Sequence, residues 1–135
     1  MKLVPDRIDG FRQSEESRSN LLKVGNISYA ICQKGFSSGS KRITILLFDF
    51  KSAPIMYTQV TKEWARYEPM NSDSLTLTPI VEPNYFGWIT YSTNQSAKIF
   101  LGVAERFYLA IEGKNVDQET LNEILKLFSL DQFPK

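Results

Sequence analysis

The segment Lys98-Ile-Phe-Leu-Gly-Val-Ala-Glu-Arg-Phe-Tyr-Leu-Ala-Ile-Glu112 decides the fold of this chain. Each of its halves alternates apolar residues with a period of two, which is typical of β-strands that bury one side. The halves meet at Ala104-Glu105, so the pattern predicts a β-hairpin. The residues expected to share one side are Ile99, Leu101, Val103, Phe107, Leu109 and Ile111.

A second hairpin is predicted closer to the amino terminus. Residues Ile27–Gln33 alternate in the same way, and Arg42–Phe50 is an almost continuous apolar run. The segment Gly35–Ser40 between them is rich in glycine and serine, which favour turns. Two hairpins in one short chain favour a largely antiparallel sheet.

Two further strands are predicted over Leu75–Glu82 and Gly87–Thr93. Pro79 and Pro83 lack the backbone N–H that would donate to a neighbouring strand, and sheets tolerate proline at edges and breaks. We therefore expect these strands at an edge of the sheet or beside a break in it.

Two amphipathic helices are also predicted. The first covers about residues 54–67, because Pro54 is tolerated in a first turn and Pro69 ends the pattern. The second begins after Asp117, whose carboxylate can cap it, and runs to about residue 128. Their apolar stripes are Met56, Tyr57, Val60, Trp64 and Tyr67 in the first, and Leu121, Ile124, Leu125 and Phe128 in the second.

The element order predicts a single α+β domain over residues 1–135. Hairpins dominate and no alternating strand and helix series is present, so we expect a curved, largely antiparallel sheet of about six strands with both helices on one face. Residues 1–20 are polar and interrupted, and are expected to form a partly extended arm. Ile8 and Phe11 are the residues of the arm that could pack against the body.

Composition narrows the classes of function. The chain has 135 residues, 42% of them hydrophobic, and a net charge of +1. The balanced charge disfavours nucleic-acid binding, and no apolar run approaches the roughly 20 residues of a transmembrane segment. Histidine is absent, which excludes histidine-dependent triads, and with Cys32 as the one cysteine it also excludes standard zinc sites. We expect no cofactor.

Three segments of the carboxyl-terminal half carry a resemblance: Gly-Trp-Ile-Thr-Tyr at 87–91, Ile-Phe-Leu-Gly-Val-Ala-Glu-Arg-Phe-Tyr-Leu-Ala-Ile-Glu-Gly at 99–113 and Val-Asp-Gln-Glu-Thr-Leu at 116–121. They look like short uncharacterised exported bacterial proteins, and the layout resembles small α+β domains of the PsbP/Mog1 type. The resemblance implies a binding or accessory role, often in the periplasm or cell envelope. No apolar run of about 7–15 residues opens the chain, so we expect no signal peptide in the chain as given, and an export signal already removed stays an alternative.

The first candidate site is the sheet face opposite to Ile43, Ile45 and Leu47. An antiparallel sheet covered on one side should be polar on the other, yet this second face is apolar and aromatic. We interpret it as a surface for a partner, a ligand or self-association. The alternative is that the sheet curls strongly or that the arm covers this face. The residues assigned to it are Leu46, Phe48, Phe50, Phe100 and Tyr108.

The second candidate site is the aromatic segment Glu82-Pro-Asn-Tyr-Phe-Gly-Trp88. Exposed Tyr and Trp in a loop make binding anchors that lose little entropy. Tyr85, Phe86 and Trp88 are the residues assigned to this site. The alternative is that these aromatics end strands and fill the core.

Two single residues, Asp49 and Cys32, are candidates for chemistry. Asp49 lies inside an apolar strand and could act with Glu63 or Glu112 as a pair of catalytic carboxylates. Pairing of Asp49 with Lys51, Lys41 or Arg106 is the alternative. Cys32 alternates with Ile31 and is expected to be a small buried apolar residue rather than a reactive thiol.

The sequence therefore predicts a non-enzymatic interaction module. It would bind a protein partner or a hydrophobic small molecule through the aromatic face and the segment at residues 85–88. A small hydrolase that uses carboxylates is one alternative, and a structural homodimer is the other.

Overall fold

The computed structural model describes residues 3–5, 7–8, 10–93 and 96–134, and of residues 14–17, 24 and 65 it describes the backbone alone. It is an α+β fold with an eight-stranded antiparallel sheet in this part of the chain. The strands are β1 (Arg12–Val24), β2 (Ile27–Ser38), β3 (Lys41–Asp49), β4 (Met70–Asn71), β5 (Leu75–Val81), β6 (Tyr85–Ser92), β7 (Ser96–Val103) and β8 (Phe107–Lys114). The helices are α1 (Pro54–Lys62) and α2 (Gln118–Leu125), with short 3-10 segments at Glu63–Arg66 and Leu130–Gln132.

The sheet consists of two meanders joined side by side, in the order β1-β2-β3-β8-β7-β6-β5-β4. All neighbours are consecutive in the chain except β3 and β8, which pair through Ile45 with Ile111 and Leu47 with Leu109. Both predicted hairpins are confirmed, as β2–β3 and β7–β8. The sheet is larger than the expected six strands because β1 and the two-residue β4 extend its two edges.

One face of the sheet, here called the α2 face, carries the main hydrophobic core. Ile45, Ile99 and Leu109 are fully buried there beneath Leu121 and Ile124 of α2. The cap predicted for this helix is confirmed, because the backbone N–H of Thr120 donates to Asp117 Oδ1 at 2.7 Å. Burial of this continuous apolar layer is the main stabilising contribution to the domain.

The other face, here called the α1 face, is covered by α1 and the 3-10 segment that follows it. Tyr57 of α1 lies in one cluster with Phe48 and Tyr108, whose neighbours Leu47 and Leu109 point to the α2 face. The expectation that both helices lie on one face is therefore wrong. β3 and β8 are apolar on both sides, so each face requires a covering element.

The amino-terminal segment packs on the α2 face. Val4 and Ile8 are each 5% exposed and belong to the main core, and Phe11 is half-buried against it. Arg12 to Asn20, which were expected to lie in the arm, form the first part of edge strand β1. The arm therefore does not cover the α1 face, which is covered by α1 instead.

Candidate functional site

The first group of predicted site residues lies beneath the start of α1. Phe50 is 2% exposed and packs on Tyr29, with the ring centroids 5.3 Å apart. Phe48 stacks on Tyr108 at 5.5 Å, and both are half-buried in the cluster that includes Tyr57. These aromatics form a second core between sheet and helix, so the prediction that this face is uncovered is wrong for them.

The 3-10 segment covers a second group. Trp64 packs on Phe100 at 5.3 Å and on Phe86 at 5.4 Å. Phe100 and Trp88 are each only 8% exposed, whereas Phe86 is 38% exposed. Of these predicted residues, the structure leaves Phe86 the most accessible to a partner.

The last two predicted residues are separated from this cluster. Tyr85 pairs with Val103 and packs against the core of the α2 face, so it points away from Phe86. Leu46 is half-buried on the α1 face beside Ala110. Tyr85, Phe86 and Trp88 belong to β6 rather than to a loop, as the alternative interpretation had it.

An exposed apolar surface does exist, at the edge of the α1 face where β4 and β5 lie. It contains five of the nine large apolar side chains that are exposed in the described part of the chain. We call it the edge patch: Tyr67, Met70, Leu75, Val81 and Phe86. Val81 pairs directly with Phe86, whereas Met70 and Tyr67 contact the sheet through Leu77 and Trp88, the latter with ring centroids 5.9 Å apart.

Sequence reasoning found only Phe86 of this patch. A signal for two of the others, Leu75 and Val81, is present in β5, where they share one side with Leu77 and Pro79. These four positions look like any half-buried strand. The exposure of Leu75 and Val81 follows from the place of β5 near the sheet edge, which the strand order sets.

The backbone edge of β5 is blocked by proline. The carbonyl of Leu75 accepts from the Ser72 N–H at 3.0 Å, so alternate residues from Leu75 onward direct their backbone groups outward. Pro79 holds one of these positions beyond the two-residue β4 and has no N–H to offer. A proline at such a position hinders another strand from pairing with the edge. A partner would therefore contact the side chains of the edge patch rather than add a strand to the sheet.

A pocket of about 230 Å³ lies beside the edge patch, where α1 crosses the ends of β6 and β7. Its walls include Tyr57, Phe86 and Gly102, with Glu82 and Glu105 on the hairpin turns. Burial, together with the negative charge of Glu105, raises the pKa of Tyr57 to about 12. The Tyr57 hydroxyl is therefore neutral at physiological pH and can both donate and accept a hydrogen bond.

Asp49 is held in an ion pair. Nε and Nη2 of Arg106 each donate to one carboxylate oxygen at 2.7 Å. The hydrogen bond from Arg106 holds the pKa of Asp49 below its ordinary value of 3.8, against the opposing effect of burial. The proposed partner carboxylates are engaged elsewhere, Glu63 with Arg66 and Glu112 with Lys98. This geometry favours the structural alternative for Asp49 over a general acid.

The Asp49→Asn variant is expected to lose stability in a pH-dependent way. Because the pKa of the folded state is depressed, the carboxylate stabilises the fold fully above 3.8, and this contribution disappears as pH falls through the lower folded pKa. At pH 7 we expect a loss of about 1 kcal/mol in the free energy of unfolding, since the pair is partly exposed. Urea unfolding at pH 7 and pH 3 should show the two proteins converging at the lower pH, with exposed Asp73→Asn as the control. A difference that is constant with pH would contradict the assignment.

Cys32 is half-buried against the core of the α2 face, opposite Leu47. Among the described residues there is no group of three or more Cys, Asp or Glu side chains arranged to hold a metal ion. No helix in the same part of the chain is long and apolar enough to cross a membrane.

No family model, curated protein or solved structure matches the chain. The likeness to domains of the PsbP/Mog1 type stays a prediction.

Proposed function

We propose that the chain is a non-enzymatic interaction module that binds an apolar surface of a partner protein at the edge patch. The single observation that supports this is the concentration of exposed apolar side chains along β4 and β5 at the edge of the α1 face, where Val81 is 79% exposed and Met70 48%. Monomers seldom leave such contiguous patches without a use.

The composition of the edge patch favours a protein partner. Tyr, Phe and Met are enriched at the centres of protein interfaces, and the patch contains Tyr67, Phe86 and Met70. The charged residues Glu68 and Glu82 adjoin it in the chain and are exposed, as in the polar rim of an interface. The adjacent pocket is too small for a drug-sized hydrophobic ligand, which requires at least about 300 Å³.

The Met70→Ser/Val81→Ser variant is expected to lose partner binding and remain folded, because both side chains are exposed. Leu21→Ser/Leu127→Ser is the matched control, since these residues are 65% and 49% exposed and lie outside the patch. In affinity capture from an extract of the source cells, the same protein should be retained by the wild type and the control and lost by the patch variant. Retention by all three would contradict the proposal.

Solution mass separates this proposal from self-association. Light scattering of the wild type should give a monomer, and a dye that reports exposed apolar surface should bind it more strongly than it binds Met70→Ser/Val81→Ser. A dimer that this variant dissociates would instead assign the edge patch to a homodimer interface. A monomer whose dye binding does not change in the variant would contradict the proposed surface.

A further inference from the structure

One wall of the pocket beside the edge patch carries a polar group, the hydroxyl of Tyr57, that has no partner among the described residues. Tyr57 is 8% exposed, and its hydroxyl lies over Gly102, at 2.6 Å from where a Cβ would stand. Within the described residues this hydroxyl makes no hydrogen bond. The side chain is thus largely buried while its hydroxyl opens onto the pocket, where it is available to a polar atom of a ligand.

The charge around the pocket is negative. Glu82 and Glu105 line it, no Lys or Arg does, and neither carboxylate forms an ion pair in the part of the chain described. The cation nearest in sequence, Arg106, is occupied by both oxygens of Asp49. The pocket therefore favours a cation over an anion or a neutral molecule.

The turn that carries Glu105 is fixed. Ala104 and Glu105 adopt φ values of 56° and 55°, and the Ala104 N–H donates to the Asn84 carbonyl at 2.8 Å. The Asn84 side chain in turn donates to the Leu130 carbonyl at 2.8 Å. These hydrogen bonds fix the backbone of the turn, and the turn places Glu105 beside Tyr57.

The walls suit an organic cation. The rings of Tyr57 and Phe86 line the pocket, and aromatic faces attract ammonium groups. A volume of about 230 Å³ limits the ligand to a small molecule or the end of one side chain. An ammonium group supplies hydrogen-bond donors for Tyr57 Oη and the carboxylates, whereas its alkyl stem can contact the rings.

We propose that this pocket binds an alkylammonium group, with Tyr57 and Glu105 as its main polar contacts. The site goes beyond the proposed function, because it takes a small cation and not an apolar protein surface. The ammonium could belong to a free amine or to a lysine side chain.

Titration of the full chain with n-butylammonium, followed by NMR, tests the site. We expect saturable shifts at residues 57, 86, 102 and 105, and at least a fivefold loss of affinity in Glu105→Gln and in Tyr57→Phe. Glu123→Gln, an exposed carboxylate on α2, is the matched control and should bind as the wild type does. Nα-acetyl-lysine methylamide as a second probe distinguishes the sources: weaker binding than butylammonium assigns a free amine, and equal or tighter binding assigns a lysine side chain.

Several outcomes would overturn the proposal. They are absence of saturable shifts in the wild type, equal binding of the neutral n-butanol, and a Glu105→Gln affinity equal to that of Glu123→Gln. Met70→Ser/Val81→Ser should bind butylammonium normally, since neither residue lines the pocket. Failure of the edge patch and failure of the ammonium site are therefore distinguishable.

Discussion

Phe100→Ala is expected to lower the free energy of unfolding by about 3–4 kcal/mol, the cost of a cavity left by a large buried side chain. Phe100 is 8% exposed and contacts Trp64 and Tyr67, with ring centroids at 5.3 and 6.1 Å. Removal of its ring would leave these aromatics without support. Guanidinium unfolding followed by tryptophan fluorescence measures the loss directly.

Phe86→Ala provides the matched control for this variant. It removes the same ring from the same face one strand away, but Phe86 is 38% exposed, so we expect a loss below about 1.5 kcal/mol. A loss at Phe100 no larger than that at Phe86 would mean that the 3-10 segment does not cover this face. The aromatic face would then be available as a binding surface, as the sequence alone suggested.

Gly87→Ala is expected to destabilise the fold by at least about 3 kcal/mol through overpacking against backbone. A Cβ at this position of β6 would overlap the carbonyl oxygen of Phe100 and stand 2.9 Å from the Cα of Leu101. Neither backbone atom can move without separating β6 from β7. The measurement is equilibrium unfolding, with circular dichroism to confirm that the variant folds under native conditions.

Gly102→Ala is the control for Gly87→Ala, because its added Cβ would clash with a side chain rather than with backbone. A Cβ there would meet the Tyr57 hydroxyl at 2.6 Å, and this side chain can shift. We expect a cost of about 1–2 kcal/mol, the ordinary range for added volume in a packed region. A Gly87→Ala variant as stable as Gly102→Ala would contradict the close approach of β6 and β7.

Local patterns predicted the elements that depend on local physics. The alternation in Lys98–Glu112 specified a hairpin because each strand buries one side, and Asp117 marked a helix start through its own side chain. Strand β1 was missed because it is an edge strand with exposed residues on both sides, including Leu21 and Leu22. Such a strand shows no burial pattern, although it pairs along its length with β2.

The edge patch and the pocket depend on contacts between elements that are distant in the chain, and no local sequence pattern specifies such contacts. Phe48 and Phe100 were identified correctly as a second apolar face, but whether a helix covers that face is decided by where the chain crosses after β3. Val81 is exposed because β5 lies near the edge, and Tyr57 reaches Gly102 because α1 crosses the sheet there. The edge patch therefore follows from the strand order, and the pocket beside it from the crossing of α1.

The pairing of β3 with β8 sets the order of events during folding. Every other strand contact joins consecutive strands, but here Arg42 lies opposite Lys114, and α1 and the four strands β4 to β7 lie between β3 and β8 in the chain. Closing such a long loop is slow relative to forming local hairpins. During synthesis on the ribosome, we expect the inner edge of the first meander to stay unpaired until β8 has been made. During synthesis the protein is most open to misassembly and chaperone capture along β3, an edge that the finished molecule hides at its centre.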